Sequence, residues 1–442
     1  MVFPFLPLGN YVQDAGLQPP FREDFLHYIW QLQAFNRQDL STTTGEAIRI
    51  IHPGNLNTDA GPDFHNARIQ IGGTMWAGNV EIHVLASEWI NHQHQHDPAY
   101  DNIILHLVYE EDRPIFRSSG ARIPCLELKR RIPPGLGSRY RRLLHNRSWI
   151  PCQAQLGEVP EITRQLWLER LLVERLEQQT QVMEEVLKQN QGDWELTFYQ
   201  FLARSFGLYI NTLPFVQLAR SLPLKLLKKH RSNPLQIEAL LFGQAGFLET
   251  AWKDDYPKAL KKEYAFLRKK YRLKPLVAHS WKFSRLRPAN FPTLRLAQLA
   301  ALISKTEQLL HTMLAAEDYP AIEQAFDLQL SDYWQKHYRF DRIAKAPPRS
   351  LGKATVRLFI INTIAPFLFL YGRQKQEAQY RDRALHLLDT LPPERNSIID
   401  RWKELGMKGQ SAGQTQALLQ LKRQYCDARR CLRCAIGCAL LK

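Results

Sequence analysis

The chain has 442 residues, of which 45% are hydrophobic and 23% are charged, a composition that excludes global disorder and predicts two domains or three. Lys and Arg outnumber Asp and Glu by 59 to 43, and the net charge of +16 favours an anionic partner, nucleic acid above all. Residues 1–133 hold 10 basic and 15 acidic side chains and 8 of the 14 histidines, whereas the remainder carries a net charge of +21. We therefore expect metal ligands and acid–base groups in residues 1–133, the front part of the chain, and polyanion binding in residues 134–442, the rear part.

The front part of the chain predicts one helix and a sheet. Apolar residues at helical spacing predict a helix over residues 20–38. Alternating or continuous apolar runs predict strands at 47–51, 67–71, 80–85, 102–109 and 122–128. The cluster Pro133-Pro134-Gly135 marks the expected end of this domain.

From residue 161 onward the pattern is helical. Amphipathic spacing predicts a long helix over 162–189, and further helices are expected near 195–206, 235–248, 294–311, 354–371 and 376–390. The sequence thus predicts an α+β protein: an α/β domain of residues 1–133 with a mixed sheet, a linker at 134–160 and a basic helical domain at 161–442.

Two apolar segments are candidates for a membrane or targeting segment, and neither pattern favours that assignment. The apolar run 358–371 is interrupted by Pro366 and is too short to span a bilayer, so it predicts a buried helix. Residues 1–10 lack the basic start and small-residue cleavage site of a signal peptide. We expect a cytoplasmic protein without a membrane partner, in which the six cysteines are thiols or metal ligands.

The densest chemistry lies in residues 55–106. Glu81 and His83 share one face of the predicted strand 80–85, and Asp63 precedes the neighbouring part of the sheet. If the two strands form a hairpin, Asp63 approaches Glu81, and two carboxylates beside a nitrogen donor suit Mg²⁺ or Mn²⁺. Such a cation polarises a phosphodiester and lowers the pKa of an attacking water. Asp63 and Glu81 are the predicted metal ligands, and His83 is predicted to position or deprotonate the water; alternatively, Asp63 caps a turn and Glu81 and His83 form an ordinary polar face.

This arrangement resembles the core of the PD-(D/E)XK nucleases. That core runs helix, three-stranded meander, helix, strand, with Pro-Asp on the second strand and Glu-x-Lys on the third. Pro62-Asp63 and Glu81-Ile82-His83 fit the pattern except that His83 replaces the lysine that helps to activate water. The resemblance implies a restriction-endonuclease-like core and metal-dependent cleavage of DNA or RNA. The missing lysine favours the alternative, a non-catalytic nucleic-acid- or ribosome-binding protein on a degenerate nuclease core.

The chain is also similar, over nearly its full length, to an uncharacterised bacterial family, the domain-of-unknown-function 2851 family. The segments that carry this resemblance are 61–69, 78–83, 89–97, 290–292 and 426–434. The resemblance implies one shared architecture and brings no settled activity.

A histidine-rich run follows the predicted strand 80–85. In the run His92-Gln-His94-Gln-His96-Asp97, His92, His94 and Asp97 are predicted to contact substrate phosphate or to hold a metal. A zinc hydrolase of small substrates is therefore a third functional hypothesis, and a solvated loop is the plain alternative. His106 lies inside an apolar strand and is predicted to be a core residue.

Four of the six cysteines fall close together near residue 430. Cys426, Cys431, Cys434 and Cys438 have the spacing C-x4-C-x2-C-x3-C, which favours Zn²⁺ or a [4Fe–4S] cluster. Cys152 is an alternative fourth ligand to Cys438. The flanking arginines are expected to lower the thiol pKa values. Some PD-(D/E)XK nucleases carry an iron–sulfur cluster near the core, with a different cysteine order, and incidental buried cysteines are the plain alternative.

Basic and aromatic residues alternate in two segments of the rear part. Arg285 and Arg287, in the segment 281–291, are predicted to bind phosphates of DNA or RNA while nearby aromatic rings stack on bases. The basic stripe 258–274 is predicted to act similarly, and a solvated face is the alternative for either run. The sequence leaves open the choice between DNA and RNA and the oligomeric state.

Overall fold

The computed structural model describes residues 22–57, 59–346 and 350–441. The strands are, in chain order, β1 (Ile48–His52), β2 (Asn55–Leu56), β3 (Phe64–Ile71), β4 (Thr74–Leu85), β5 (Ile103–Glu110), β6 (Cys125–Glu127), β7 (His337–Arg339) and β8 (Arg342–Ile343). The helices are α1 (Glu23–Gln31), α2 (Glu88–Asn91), α3 (Leu136–His145), α4 (Glu161–Gln189), α5 (Trp194–Phe206), α6 (Thr212–Ser221), α7 (Leu224–Lys229), α8 (Pro234–Gln244), α9 (Asp255–Tyr271), α10 (Pro292–Lys305), α11 (Leu309–Ala315), α12 (Tyr319–Ala325), α13 (Lys353–Phe359), α14 (Ala365–Lys375), α15 (Ala378–Thr390), α16 (Ser397–Glu404), α17 (Ala412–Gln420) and α18 (Ala435–Leu441). The start of the predicted helix 20–38 lies outside the described residues, and α1 ends at Gln31.

The six N-terminal strands form one mixed, curled sheet in the order β1-β3-β4-β5-β6, with β2 beside β3. β3 and β4 form an antiparallel hairpin around Gly72, whose positive φ of 58° suits a glycine. β4, β5 and β6 run parallel, and the β4–β5 crossover contains α2 and two 3₁₀ helices, His94–His96 and Pro98–Tyr100. The predicted α+β class, with a mixed sheet followed by a helical region, is confirmed.

The chain divides into two compact units. The first comprises the described residues up to Trp167 together with those from Lys422 onward, and the second comprises Leu168–Leu421. This division differs from the predicted domains in two ways: residues 134–160 are not a linker, and the cysteine-bearing C-terminal segment belongs with the sheet. The physical reason is burial of apolar residues that the local pattern did not reveal.

Helix α3 shows why 134–160 is part of the first unit. Leu136, Tyr140 and Leu143 are buried. The Tyr140 ring stacks on Phe25 of α1 at 4.9 Å between centroids, and its hydroxyl donates to the carboxylate of Asp24 at 3.1 Å. The C-terminal segment joins the same unit, where Arg139 donates to the Leu441 carbonyl at 3.2 Å.

The second unit is helical around an extended apolar core. One of its helices runs without interruption from Lys353 to Lys375 through a π-helical stretch, Ile360–Ile364, so it is longer than the predicted apolar run 358–371. Its 23 residues are long and apolar enough to cross a membrane, and 67% of its most apolar window is buried inside the structure. Pro366 lies inside this continuous helix, two residues after the end of the π-helical stretch, and it has no N–H to donate to the preceding turn.

Candidate metal centre

The β3–β4 hairpin sets the positions of Asp63 and Glu81. Phe64 pairs with Val80, so Asp63, directly before β3, lies beside Glu81. The amide of Asp63 donates to Oε2 of Glu81 at 3.2 Å, and the amide of Ile82 donates to Oδ2 of Asp63 at 3.0 Å. These two hydrogen bonds from main-chain amides hold the carboxylates next to each other, as the hairpin hypothesis required.

Two histidines, His83 and His94, lie close to Glu81, and a third, His92, lies close to His83. His83 shares a face of β4 with Glu81, and its Nε2 lies 3.2 Å from Nδ1 of His92 and 3.8 Å from Oε1 of Glu81. Nε2 of His94 lies 3.3 Å from the same carboxylate oxygen. The three imidazoles offer nitrogen atoms that all lie within 4.8 Å of one another, and no other such group of three His, Cys, Asp or Glu occurs in the part of the chain that the structure describes. We call His83, His92 and His94 the histidine trio.

Helix α1 adds two residues that the sequence analysis missed. Nε2 of His27 lies 3.2 Å from Oδ2 of Asp63, and Oε1 of Glu23 lies 4.0 Å from Nε2 of His83. Glu23 and His27 are four residues apart, so they share one face of the helix. This spacing was the available signal, but only the packing of α1 against the sheet shows that the face meets the site.

His106 on β5 orients His83, one member of the histidine trio. Its Nε2 lies 2.9 Å from Nδ1 of His83, and both rings are 1% exposed. A hydrogen bond at Nδ1 fixes the ring of His83 and directs Nε2 towards His92 and Glu81. His106 is therefore buried, as the apolar strand indicated, but it also contacts the site.

Aromatic rings form the wall of the site. Tyr100 stacks on His94 with 3.8 Å between ring centroids, and Trp89 meets His83, His94 and His106 edge-on. These rings restrict the motion of the imidazoles and keep water from their far side. They also help to explain the burial of the acidic groups.

The acidic groups are held in an environment that disfavours their negative charges. Burial, with the nearby charge of Asp63, raises the pKa of Glu81 to about 9. Burial and the same charge raise the pKa of Glu23 to about 8. The positive charge of His27 opposes these shifts without cancelling them, and a bound cation would compensate the three carboxylates further.

The imidazoles divide into neutral rings and one basic ring. Burial and the neighbouring histidines hold the pKa of His83 well below its usual value, and burial lowers the pKa of His94. Burial lowers the pKa of His106 to about 3. For His27 burial also opposes charge, but the hydrogen bond and charge of Asp63 outweigh it and raise the pKa. Neutral imidazoles are the form that binds metals, whereas His27 is suited to carrying a proton.

The donor set fits a divalent cation. For Zn–N bonds of about 2.0–2.1 Å, neighbouring donors in a tetrahedron lie about 3.3 Å apart. The His83–His92 and His94–Glu81 separations of 3.2 and 3.3 Å match this spacing. Nε2 of His94 is buried and makes no hydrogen bond within the described residues. Imidazole with carboxylate suits Zn²⁺, Mn²⁺ or Fe²⁺ better than Mg²⁺, which prefers oxygen.

A polar groove lies along the β3–β4 hairpin, and Asp63, Glu81 and the histidine trio are not among its lining residues. It has a volume of about 530 Å³ and is lined by His52, Asn55, Asn66, Arg68 and Asn102, with Gly78 at its floor. Asn79, two residues before Glu81, accepts a hydrogen bond through Oδ1 from the amide of Asn66, a lining residue of the groove, at 3.4 Å.

The other predicted substrate-binding residues lie elsewhere. Asp97 is exposed and caps a 3₁₀ helix by accepting from the amide of Ala99 at 2.9 Å. Arg285 and Arg287 are exposed in the second unit. Trp281 is not available for stacking, because it is buried and its Nε1 donates to the Ala245 carbonyl at 2.9 Å.

The predicted cysteine ligands lie in the first unit. Cys426 ends a π-helical segment (Leu421–Cys426), Cys431 begins a 3₁₀ helix (Cys431–Arg433), and Cys438 lies in α18. All six cysteines are free thiols. The charge of Arg429 lowers the pKa of Cys431, as expected for a flanking arginine, but burial is the larger effect and raises the pKa of Cys426, Cys431 and Cys434.

Comparison with known proteins identifies one family. The profile described as "Protein of unknown function (DUF2851)" matches residues 23–397, a range that includes the hairpin and the histidine trio but stops before the four clustered cysteines. No curated protein and no solved structure matches the chain, so these comparisons lend no support to the resemblance to PD-(D/E)XK nucleases. Because the profile covers most of its length, the chain belongs to the DUF2851 family.

Proposed function

We propose that the protein is a metal-dependent phosphodiesterase that acts on nucleic acid. The observation that carries the proposal is the convergence of Asp63 and Glu81 with the histidine trio at one end of the β3–β4 hairpin. The Pro62-Asp63 and Glu81-x-His83 pattern, which resembles the PD-(D/E)XK motif, supports the same chemistry. We propose Zn²⁺, Mn²⁺ or Fe²⁺ ahead of Mg²⁺, because three of the donors are nitrogen atoms.

The proposed ligands are Glu81 and the histidine trio, with Asp63 as the second carboxylate beside the cation. A divalent cation held there supplies Lewis acidity towards a phosphodiester and lowers the pKa of water. His83 is neutral, 1% exposed and bonded through Nδ1 to His106, which supports a ligand role over the water-activating role that the sequence suggested.

In this proposal His27, oriented by Asp63, is the group that accepts and donates the proton during the reaction. The carboxylate of Asp63 orients the His27 ring at 3.2 Å and raises its pKa, and the His27 side chain keeps 19% of its surface exposed. A partly exposed imidazole with a carboxylate partner is an effective general acid–base group. In this proposal His27 takes the place of the nuclease lysine.

Charge in the second unit supports an anionic polymer as substrate. A groove of about 460 Å³ beside α9 is lined by five basic residues: Lys261, Arg268, Lys269, Arg272 and Lys274. Phe266, on the same helix, is 61% exposed and lies 5.8 Å from the Lys270 ammonium. Cations neutralise phosphates, and an exposed ring among them offers a stacking surface for unpaired bases.

One observation favours the second candidate, a non-catalytic nucleic-acid-binding protein. The position of the nuclease lysine is His83, whose ring is enclosed by other histidines and cannot reach bulk water. If His27 does not replace the lysine, the same fold binds without cutting.

The test is cleavage of labelled single- and double-stranded DNA and RNA with Mn²⁺, Zn²⁺ or Mg²⁺ and with EDTA. We expect cutting that requires the metal, is lost in Glu81→Gln and His94→Ala, and persists in His96→Ala, a matched control on the same loop. Because general acid–base catalysis contributes about 10²–10⁴-fold, His27→Gln should lose that factor and keep metal binding. Salt-sensitive binding without cutting in every metal would support the second candidate and refute the first.

A further inference from the structure

The five cysteines outside the sheet come from two parts of the chain that meet in the first unit. Cys152 directly precedes the 3₁₀ helix Gln153–Glu158, and this helix contacts α18. Cys426, Cys431 and Cys434 lie on the segment that leads into α18. Residues far apart in the sequence are therefore neighbours in the fold.

Specific contacts fix this meeting point. The guanidinium of Arg429 donates to the carbonyl of Asn146 at 2.8 Å, and the amide nitrogen Nδ2 of Asn146 donates to the carbonyl of Pro151 at 2.8 Å. The ammonium of Lys422 lies 5.0 Å from the ring centroid of Trp149. The loop that ends at Cys152 is thus held against the segment that carries Cys426.

A glycine lets α18 pack closely on the cysteine loop. A Cβ atom on Gly437 would lie 2.2 Å from the carbonyl oxygen of Cys431, far inside van der Waals contact. Only glycine permits this approach. The close packing of Gly437 against Cys431 therefore restricts the conformation of the loop that carries Cys431 and Cys434.

The effects of the thiols on one another's pKa values agree with this meeting point. After burial, the charges that raise the pKa of Cys426 are those of Cys434, Cys152 and Cys431, and Cys434 does the same for Cys152. Cys152, Cys431 and Cys434 are buried and Cys426 is half-buried, so thiols from two distant segments of the chain lie in the same region of the unit.

Cys438 is a neighbour of Cys431, whose pKa its charge raises, but it has a partner of its own. Its Sγ donates to the carbonyl of Leu432 at 3.1 Å, so the thiol already has a partner in its own loop. The charges that raise the pKa of Cys426 include that of Cys152, and the charge of Cys434 raises the pKa of Cys152. Of the two alternative fourth ligands, Cys152 is the one that the fold brings to Cys426 and Cys434.

We propose that Cys152, Cys426, Cys431 and Cys434 hold an iron–sulfur cluster that joins the two ends of the first unit. Zn–S bonds of about 2.3 Å would require the sulfurs of a zinc site to lie about 3.8 Å apart. Among the described residues, no three cysteine sulfurs all lie within 4.8 Å of one another. A [4Fe–4S] cluster separates its thiolates more widely, because each of them binds a different iron.

The test uses the full chain, purified without oxygen. We expect about four iron and four acid-labile sulfide per chain, with a broad visible absorbance that dithionite bleaches. Cys152→Ser and Cys434→Ser should lose the iron, whereas Cys438→Ser and Cys125→Ser should retain it; Cys125 is buried in β6 and serves as the matched control.

Two results would overturn the proposal. Wild-type protein with one zinc per chain and no iron or sulfide would exclude a cluster, whether or not the variants fold. Loss of iron in Cys438→Ser, with iron retained in Cys152→Ser, would assign the fourth ligand to Cys438. Circular dichroism of each variant separates loss of the cluster from loss of the fold, and nuclease activity does not enter the readout.

Discussion

The amide nitrogen of Asp63 donates a hydrogen bond to the carboxylate of Glu81, 18 residues further along the chain, at 3.2 Å. This hydrogen bond joins the main chain before β3 to a side chain on β4. It brings the two acidic residues together without a direct bond between their carboxylates. The main chain of residue 63 thus positions Glu81, while the Asp63 side chain accepts from the amide of Ile82, the residue after Glu81.

Binding of Zn²⁺ or Mn²⁺ should stabilise the protein. At a metal concentration of 100 times Kd the gain is about 2.7 kcal/mol. Calorimetric titration and thermal melting should both show the effect, and His92→Ala combined with His94→Ala should remove it. His96→Ala should behave as wild type, and a metal-induced shift that survives loss of His92 and His94 would place the cation elsewhere.

His106→Leu should weaken metal binding, although residue 106 is not a proposed ligand of the cation. The substitution leaves Nδ1 of His83 without its partner at 2.9 Å, and loss of such an orienting bond typically costs about 10–100-fold in affinity. His106→Gln, which retains a donor and an acceptor, should recover part of the loss. Equal affinities in wild type and His106→Leu, measured by titration calorimetry, would show that His106 only fills space.

The second unit should lose stability as pH rises from about 5 to 8. Burial raises the pKa of Glu238 to about 7, against the lowering effect of hydrogen bonds from Tyr256 and Trp334. The folded state therefore holds a proton that the unfolded state releases above the ordinary glutamate pKa of 4.5, so the stabilising contribution is complete below that value and is lost towards pH 7.

The change in the free energy of unfolding should be roughly 3 kcal/mol at most. Urea unfolding followed by tryptophan fluorescence at several pH values measures it. Glu238→Gln should flatten the dependence, and Glu307→Gln, at a side chain that is 72% exposed, should not. An unchanged slope in Glu238→Gln would assign the titration to another group.

Gly78→Ala should damage the hairpin that carries the site. A Cβ at this position would lie 2.4 Å from Cγ2 of Ile104 and 2.7 Å from the carbonyl oxygen of Asn102, so β4 and β5 would have to separate. We expect a loss of about 1–3 kcal/mol in denaturant unfolding. Gly73→Ala, with no atom within 4 Å of its new Cβ, should change stability by no more than about 0.5 kcal/mol.

Removing Arg285 and Arg287 together should weaken nucleic-acid binding equally for all sequences. Each lost phosphate contact lowers the slope of log K against log salt by about 0.9 on duplex DNA. The slope, measured by fluorescence anisotropy, should therefore fall by about 2. Arg401→Ala, which removes an exposed charge paired with Glu404 at 2.7 Å, serves as control; equal slopes in the two proteins would exclude Arg285 and Arg287 from the contact surface.

The sheet and the approach of Asp63 to Glu81 were predictable because both follow from short-range patterns. Alternation in strands and the glycines of the turn predict a hairpin, and the hairpin determines which residues face each other. The proximity of His83 to Glu81 follows from the two-residue period of β4.

The contributions of His27, His106 and Cys152 were not predictable in the same way. Their places depend on α1 packing on the sheet, on the parallel pairing of β4 with β5 and on the return of the C-terminal segment, all of which join residues far apart in sequence. Local periodicity correctly indicated that His106 is buried but contained no information about its contact with His83.

The assignment of residues 422–441 to the first unit has a consequence for biosynthesis. All residues of the second unit leave the ribosome before the last segment of the first, so the helical unit is able to fold while the sheet still lacks its closing piece. In a nascent chain arrested near residue 420, the second unit would be complete and the first unit would lack its last segment. We expect quality-control proteases to degrade the incomplete first unit before the second.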